Sequence, residues 1–439
     1  YYSMLTHKKI FKLRKQFLGP SFSLSYRVPL HIVKGEAQYL FDARGKRYLD
    51  AVNNISHVGH CHPRVISAAE KQARMLNTNT RYLNEVIVNY ARDLTNTLPD
   101  GLDICYFTNS GSESNDLALR MARLFTSSRE SIVLSGAYHG HTAALIEISP
   151  YKFDGPGGTG VAPKFVNMIS MPDPYRGKFR GNGQSTGTQY AGLVSDAIEK
   201  IQDNGKQVAL FIAEAIMGCG GQIIFPESFL QQAFELVKRS GGLCIIDEVQ
   251  IGFARVGTHF WGFETCGVIP DIVTVGKSMG NGHPLSAVIT RKEIANAFDN
   301  GMEYFNSFGG NPVSCAIGQA VLDVVRDEHL QDNALKVGSY LLDLLKGLKE
   351  KHQIIGDVRG QGLFLGVELI KNHDELIPAG NEADLVVNLM KNNNILLSTD
   401  GPDHNVLKIK PPLVFTKDNA LQLAETLDRV LNRDNFKIE

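Results

Sequence analysis

Two apolar runs, each ending in polar residues, constrain this chain more than any other feature. Leu243-Cys244-Ile245-Ile246 leads into Asp247-Glu248, and Asp271-Ile272-Val273-Thr274-Val275-Gly276 leads into Lys277. Apolar runs of this length, bounded by Gly and Pro, read as strands covered on both faces, as in a parallel sheet with helices on either side. Open sheets of that kind place their ligand sites beyond the carboxyl ends of the strands. A carboxylate and an amine are therefore expected at one sheet edge. The plain alternative is a structural ion pair, since Asp and Lys rarely bury alone.

Between about 62 and 310, apolar runs at 104–108, 132–134, 208–214, 243–247 and 272–275 alternate with amphipathic helical stretches. Such alternation predicts a mainly parallel sheet covered by helices, an α/β architecture. Ahead of it, His31-Ile32-Val33 and Tyr39-Leu40-Phe41 flank a turn expected at Gly35, and Asp42-Ala43-Arg44-Gly45 turns into Tyr48-Leu49. Beyond about 315, helical patterns at 316–325, 330–351, 383–391 and 419–431 and a strand-like run at 362–369 describe an α+β segment. The expected division is 1–60 as an arm and part of a small domain, 61–315 as the large domain, and 316–439 as the C-terminal small domain. The Gly-rich patch 154–160 and the polar loop 173–188 read as surface excursions.

Bulk properties exclude several function classes. The formal net charge is −1, with 43% hydrophobic and 21% charged residues, so no basic excess exists for nucleic acid or a membrane surface. The 439 residues supply ample core without metal or disulfide staples. Six scattered cysteines form no CxxC pair and read as reduced, buried thiols. No apolar run of about eighteen residues occurs and no leader pattern is present, which predicts a cytoplasmic enzyme. Residues 1–3, ahead of Met4, leave the native start of the chain open.

The stretch Phe107-Thr108-Asn109-Ser110-Gly111-Ser112-Glu113-Ser114-Asn115 passes from a strand through a turn of small residues into a helix. Backbone N–H groups at a helix N-terminus, with Ser hydroxyls beside them, form a phosphate cradle; an ordinary Ser cap is the alternative. A phosphate cradle, a lysine able to form a Schiff base and a carboxylate able to hold a ring nitrogen protonated together suit pyridoxal 5'-phosphate (PLP). The segments Asp247-Glu248-Val249-Gln250-Ile251-Gly252-Phe253-Ala254-Arg255-Val256-Gly257 and Lys277-Ser278-Met279-Gly280-Asn281-Gly282 resemble the signature of the class III aminotransferase family of PLP enzymes.

That resemblance implies a fold type I PLP transferase, with a small α+β domain built from the two chain ends. It also implies residue roles. Lys277 would hold the cofactor and act as base, Asp247 would face the ring nitrogen, and Ser110, Gly111 and Ser112 would bind the phosphate. Tyr138, in Ser135-Gly136-Ala137-Tyr138-His139-Gly140-His141-Thr142, would stack on the ring with His139 beside it. Glu214 would support the ring-side network and Gln250 the ring hydroxyl. Asn306-Ser307-Phe308-Gly309-Gly310-Asn311-Pro312 resembles the loop whose Ser or Thr reaches the cofactor phosphate of the other subunit, so Ser307 implies a homodimer. No metal is expected, because the histidines have no acid or Cys at ligand spacing.

The substrate end separates branches of the family. Typical members carry an Arg at the place held here by Lys408 in Asn405-Val406-Leu407-Lys408-Ile409-Lys410-Pro411-Pro412, and Cys219 stands where the ornithine and 4-aminobutyrate enzymes have Glu. Arg offers a bidentate fork to a carboxylate, whereas Lys offers a point charge. The segments at 53–63, 76–82, 148–153 and 398–402 look like the phospho-lyase branch, which includes the ethanolamine-phosphate and phosphohydroxylysine phospho-lyases. The expectation is a phospho-lyase on a phosphorylated amine, with Lys408, Arg81, Lys410 and Asn54 at the substrate. An ω-aminotransferase is the alternative, and the intact Lys277 and Asp247 argue against a non-catalytic scaffold.

Overall fold

The computed structural model describes residues 5–437, so Met4 and the three residues ahead of it lie outside the described residues. Seven strands form the central sheet in the spatial order Ile104–Thr108, Ser286–Thr290, Ile272–Val275, Leu243–Asp247, Val208–Ala213, Glu130–Leu134 and Val166–Ile169. All neighbours run parallel except at Ser286–Thr290, which is antiparallel to both strands beside it. The apolar runs at 132–134, 208–214, 243–247 and 272–275 are buried end to end because successive side chains enter different cores, whereas 104–108 is half-buried at its start. Leu210, Ile212 and Ile245 pack with Leu117, Leu119, Met121 and Ala122 of helix Gly111–Thr126. Phe211, Ala213, Cys244 and Ile246 pack on the other face with Tyr190 and Val194 of Gln184–Asp203 and Phe234 and Val237 of Phe229–Arg239. Each fully buried Leu or Ile contributes ~1.5–3 kcal/mol.

Register then decides the chemistry of the sheet edge. Ile246 pairs with Ala213 and Asp247 with Thr274. The residues that follow, Glu214 and Lys277, therefore emerge at the same edge as Asp247.

The two chain ends share one further sheet. Arg47–Asp50 pairs in parallel with Ile395–Leu396, joining the N-terminal strands Ile32–Glu36 and Tyr39–Asp42 to the C-terminal part. Ile355–Gln361, Phe364–Leu369, Val406–Ile409 and Ser398–Asp400 form an antiparallel sheet of four.

Several local expectations need correction. The first hairpin turns at Ala37-Gln38, because Glu36 pairs with Tyr39 and Gly35 lies inside its strand. Gly35 is there for close approach: a Cβ would stand 2.8 Å from His60 Cβ. The loop after 173 is tied down, since Asp173 is buried, the Tyr190 hydroxyl accepts from Phe179 N at 3.0 Å, and Arg176 pairs with Glu368. Among the six free cysteines Cys61 is exposed. Strands Val166–Ile169 and Ser286–Thr290 and helix His7–Phe17 were not foreseen. No helix among the described residues is long and apolar enough to cross a membrane.

Candidate active site

Helix Gly111–Thr126 begins at the carboxyl end of strand Ile104–Thr108, with Ser110 as an extended N-cap whose Oγ accepts from Glu113 N at 3.1 Å. Glu113 returns a carboxylate oxygen to Asn109 N at 3.0 Å, which closes the first turn and leaves the amides of the helix start facing the cavity. Gly111 is required by contact, since a Cβ would lie 2.8 Å from Val249 Cγ1 in the turn after Asp247. Ser112 Oγ meets His141 Nδ1 at 3.0 Å.

The cavity in front of this helix, of about 440 Å³, is lined by Ser110, Gly111, Ser112, Tyr138, His139, Glu214, Asp247, Gln250 and Lys277, among others. Every residue that the motifs nominated on the ring and phosphate side of this chain is thus at one place. Tyr138 faces it, with the Tyr151 ring edge-on at 6.3 Å and Lys152 Nζ 5.6 Å from the Tyr138 ring centre.

Asp247 is held by three donors. His139 Nδ1 lies 2.8 Å from Oδ2, Asn115 Nδ2 donates to Oδ2 at 2.8 Å, and Val249 N donates to Oδ1 at 3.1 Å. Asn115 is in turn fixed by Thr274, whose Oγ1 donates to its Oδ1 at 2.6 Å. His139 is thus in contact with Asp247, a partner its resemblance-based placement beside the ring did not specify. The parts of Asn115 and Thr274 were missed; a polar residue one turn into the cradle helix was the available signal.

Glu214 sits beside this network with Oε1 accepting from Gly218 N at 3.1 Å, and burial followed by the Asp247 charge pushes its carboxyl up to about 8. Lys277 opens a 3₁₀ turn, Lys277–Gly280, with φ of +30°, a backbone state that costs a non-glycine residue of order 1–3 kcal/mol.

The substrate candidates divide. Lys410 is fully buried, with Nζ 3.1 Å from Asp400 Oδ2, 3.2 Å from Gln250 Oε1 and 4.3 Å from the Phe364 ring centre. Lys408 donates to Asp400 Oδ1 at 3.2 Å. Asn54 Nδ2 reaches Gln250 Oε1 at 3.4 Å. None of the three lines the cavity; Lys410 and Asn54 meet it through Gln250. Cys219 lies among them, its Sγ 4.0 Å from Gln250 Nε2, and burial pushes its thiol up to about 12, so it carries no charge at neutral pH. Arg81 stands elsewhere, on the surface, paired with Glu303 at 2.9 Å and stacked on Phe305. Ser307 is exposed on the loop that carries Glu303 and Phe305.

The donor set fits PLP. Helix amides and Ser hydroxyls suit a phosphate, a fixed carboxylate suits a ring nitrogen, and the buried Glu214 Oε2 and His139 Nε2 have no partner within the described residues. Comparison with known proteins agrees. Residues 23–431 match the family model Aminotransferase class-III. The chain is 49% identical over 422 residues to the alanine–glyoxylate aminotransferase 2-like protein of Drosophila melanogaster, covering 95% of this chain and 85% of that protein. It is 42% identical over 441 residues to ethanolamine-phosphate phospho-lyase homolog 1 of Caenorhabditis elegans, covering 98% and 94%. A solved phospholyase from Arthrobacter in complex with phosphoethanolamine matches with a TM-score of 0.91 at 37% identity, covering 96% of this chain and 99% of that one. With its cofactor cradle, its strand-end lysine and a family match across most of its length, the chain belongs to the class III aminotransferases, which work with pyridoxal 5'-phosphate.

Proposed function

We propose that this enzyme is a phospho-lyase acting on a phosphorylated amine of the O-phosphoethanolamine kind, releasing aldehyde, ammonia and phosphate. The observation that carries the reading is the pair of lysines, Lys408 and Lys410, gathered around Asp400 behind Gln250. With Cys219 neutral, that cluster holds two amines against one carboxylate, which leaves one positive charge over for a substrate anion and presents it as a point charge instead of the planar fork that an Arg offers a carboxylate. The phospho-lyase names among the relatives support the same reading.

PLP, when bound, supplies the electron sink that lets a proton leave the carbon next to the substrate nitrogen. Lys277 is the base for that proton, delivered to the sheet edge by its strand. Asp247, oriented by His139 and Asn115, would hold a proton at the ring nitrogen. Tyr138 would cover the ring, and the amides of 110–112 would bind its phosphate. Lys408, the more open of the two lysines, holds the substrate phosphate, and Lys410 lends its charge from behind Gln250, as the C–O bond breaks and the electron pair departs with the phosphate. Water then yields aldehyde and ammonia.

The active unit in this reading is a homodimer. The loops carrying Arg81 and Ser307 present Tyr82, Leu83, Met302, Phe305 and Phe308 to solvent, and Ile55 of the cavity rim is exposed as well. Clustered apolar residues beside a cavity call for cover, which a second copy provides, bringing Ser307 and Arg81 to the partner's site. Leu83→Asp should halve the mass seen by sedimentation velocity; an unchanged mass overturns the dimer surface. The free thiols fit a reducing compartment, read here as the cytoplasm.

The deciding experiment incubates holoenzyme with O-phosphoethanolamine and scores inorganic phosphate alongside amino transfer to pyruvate, glyoxylate or 2-oxoglutarate. Phosphate release without an oxo acid supports the reading. Transamination with no phosphate release overturns it in favour of the ω-aminotransferase alternative.

A further inference from the structure

Asp400 is a buried carboxylate that the proposed elimination does not use. It is 4% exposed and accepts from three side chains: Lys408 at 3.2 Å, Lys410 at 3.1 Å and Gln222 Nε2 at 2.7 Å. Gln222 is fully buried and its amide also donates to Gly218 O at 2.9 Å. The residue after Asp400, Gly401, donates its N–H to Cys219 O at 2.9 Å. The carboxylate is thereby fixed by neutral groups that have no reason to move when an anion arrives. Lys408, by contrast, is partly open to solvent.

Two lysines at this depth would be poorly tolerated without an anion, because buried charges must be paired. Resting on the phospho-lyase reading, we infer that Asp400 is a product-release residue: it competes with inorganic phosphate for Lys408, the partly open amine, and takes that amine back as phosphate departs, while Lys410 stays paired with it. Substrate and product carry the same phosphate, so any cluster that grips the first also retains the second. A fixed internal carboxylate weakens both and keeps the site from stalling on product. No bond is made or broken in this exchange.

The ionisable groups facing the cluster are Lys408, Lys410, Cys219, Glu214 and Tyr151. Cys219 and Tyr151 are pushed up to about 12 and stay neutral, so Asp400 is the carboxylate in direct contact with both lysines.

The test measures inhibition by inorganic phosphate, and the phosphate-induced shift in melting temperature, in wild-type and Asp400→Asn holoenzymes at pH 7. Removing the competing charge should tighten phosphate about tenfold and lower kcat more than kcat/KM, with phosphate release becoming limiting. Asp400→Glu, which keeps the charge, should restore wild-type inhibition, and Asp400→Ser replaces the Asn variant if that fails to fold. General damage to the site would loosen phosphate, so equal or weaker binding in folded Asp400→Asn overturns the inference. A wild-type enzyme that releases no phosphate from O-phosphoethanolamine overturns the function reading alone; tighter phosphate in Asp400→Asn would still establish the competing carboxylate.

Discussion

The ring side and the anion side of this site are built in opposite ways. On the ring side, Asp247, Glu214 and Lys277 leave neighbouring strands of one buried sheet, and His139, Asn115 and Val249 lock the carboxylate in place. On the anion side, Lys408 and Asp400 stand on neighbouring strands of the small antiparallel sheet, Lys410 follows just beyond it, and Gln222 and Gln250 reach them from other segments through side-chain contacts. The first geometry is a product of sheet register and can hardly vary without unfolding. The second adds side chains from other segments to the register of a smaller sheet, so it is where members of one fold can part in the reaction they complete.

If that contrast is right, ring-side substitutions should act on kcat and anion-side substitutions on KM. The largest expected effect is from Lys277→Ala, with phosphate release falling ~1000-fold or more while the melting temperature holds; retained turnover would break the assignment of the base. Lys408→Met should lower kcat/KM for O-phosphoethanolamine by about 30-fold, mostly through KM, as expected for one lost charge-assisted bond. An equal loss in kcat would erase the distinction between the two sides. His139→Gln should cost about tenfold in kcat with KM little changed, the size typical of a group that orients another. The smallest effect concerns pH. Burial lowers the Lys410 amine to about 8, so it is charged below that value and neutral above it. Phosphate inhibition should therefore weaken several-fold between pH 7.5 and 9.5, and Lys410→Met should flatten that limb.

The same contrast explains what could be read from the chain. Runs such as 243–247 and 272–275 are apolar on both faces, so strand, burial and the place of the terminal residue followed from one pattern. The helix start at Ser110 was legible because capping is local. Ser286–Thr290 was not foreseen, since a short strand follows the Lys277 turn with no helical stretch to mark a crossover. Asp400 and Gln222 received no role from the sequence, because their pairing spans 178 residues and no periodicity encodes it. Lys408 was nominated by resemblance, but its ion pair with Asp400 needed coordinates. Gly35 misled because a glycine between two strands reads as a turn, whereas here it makes room for His60.

The backbone at Lys277 carries one more lesson. At φ of +30° and at the head of a tight turn, the position favours glycine on conformational grounds. A search for stabilising substitutions guided by backbone preference alone would replace this lysine early and yield a hardier protein with no activity. The least comfortable residue of the strand-to-turn junction is thus a marker of selection for chemistry over robustness, and variants bred for heat resistance need to be screened for turnover at every round.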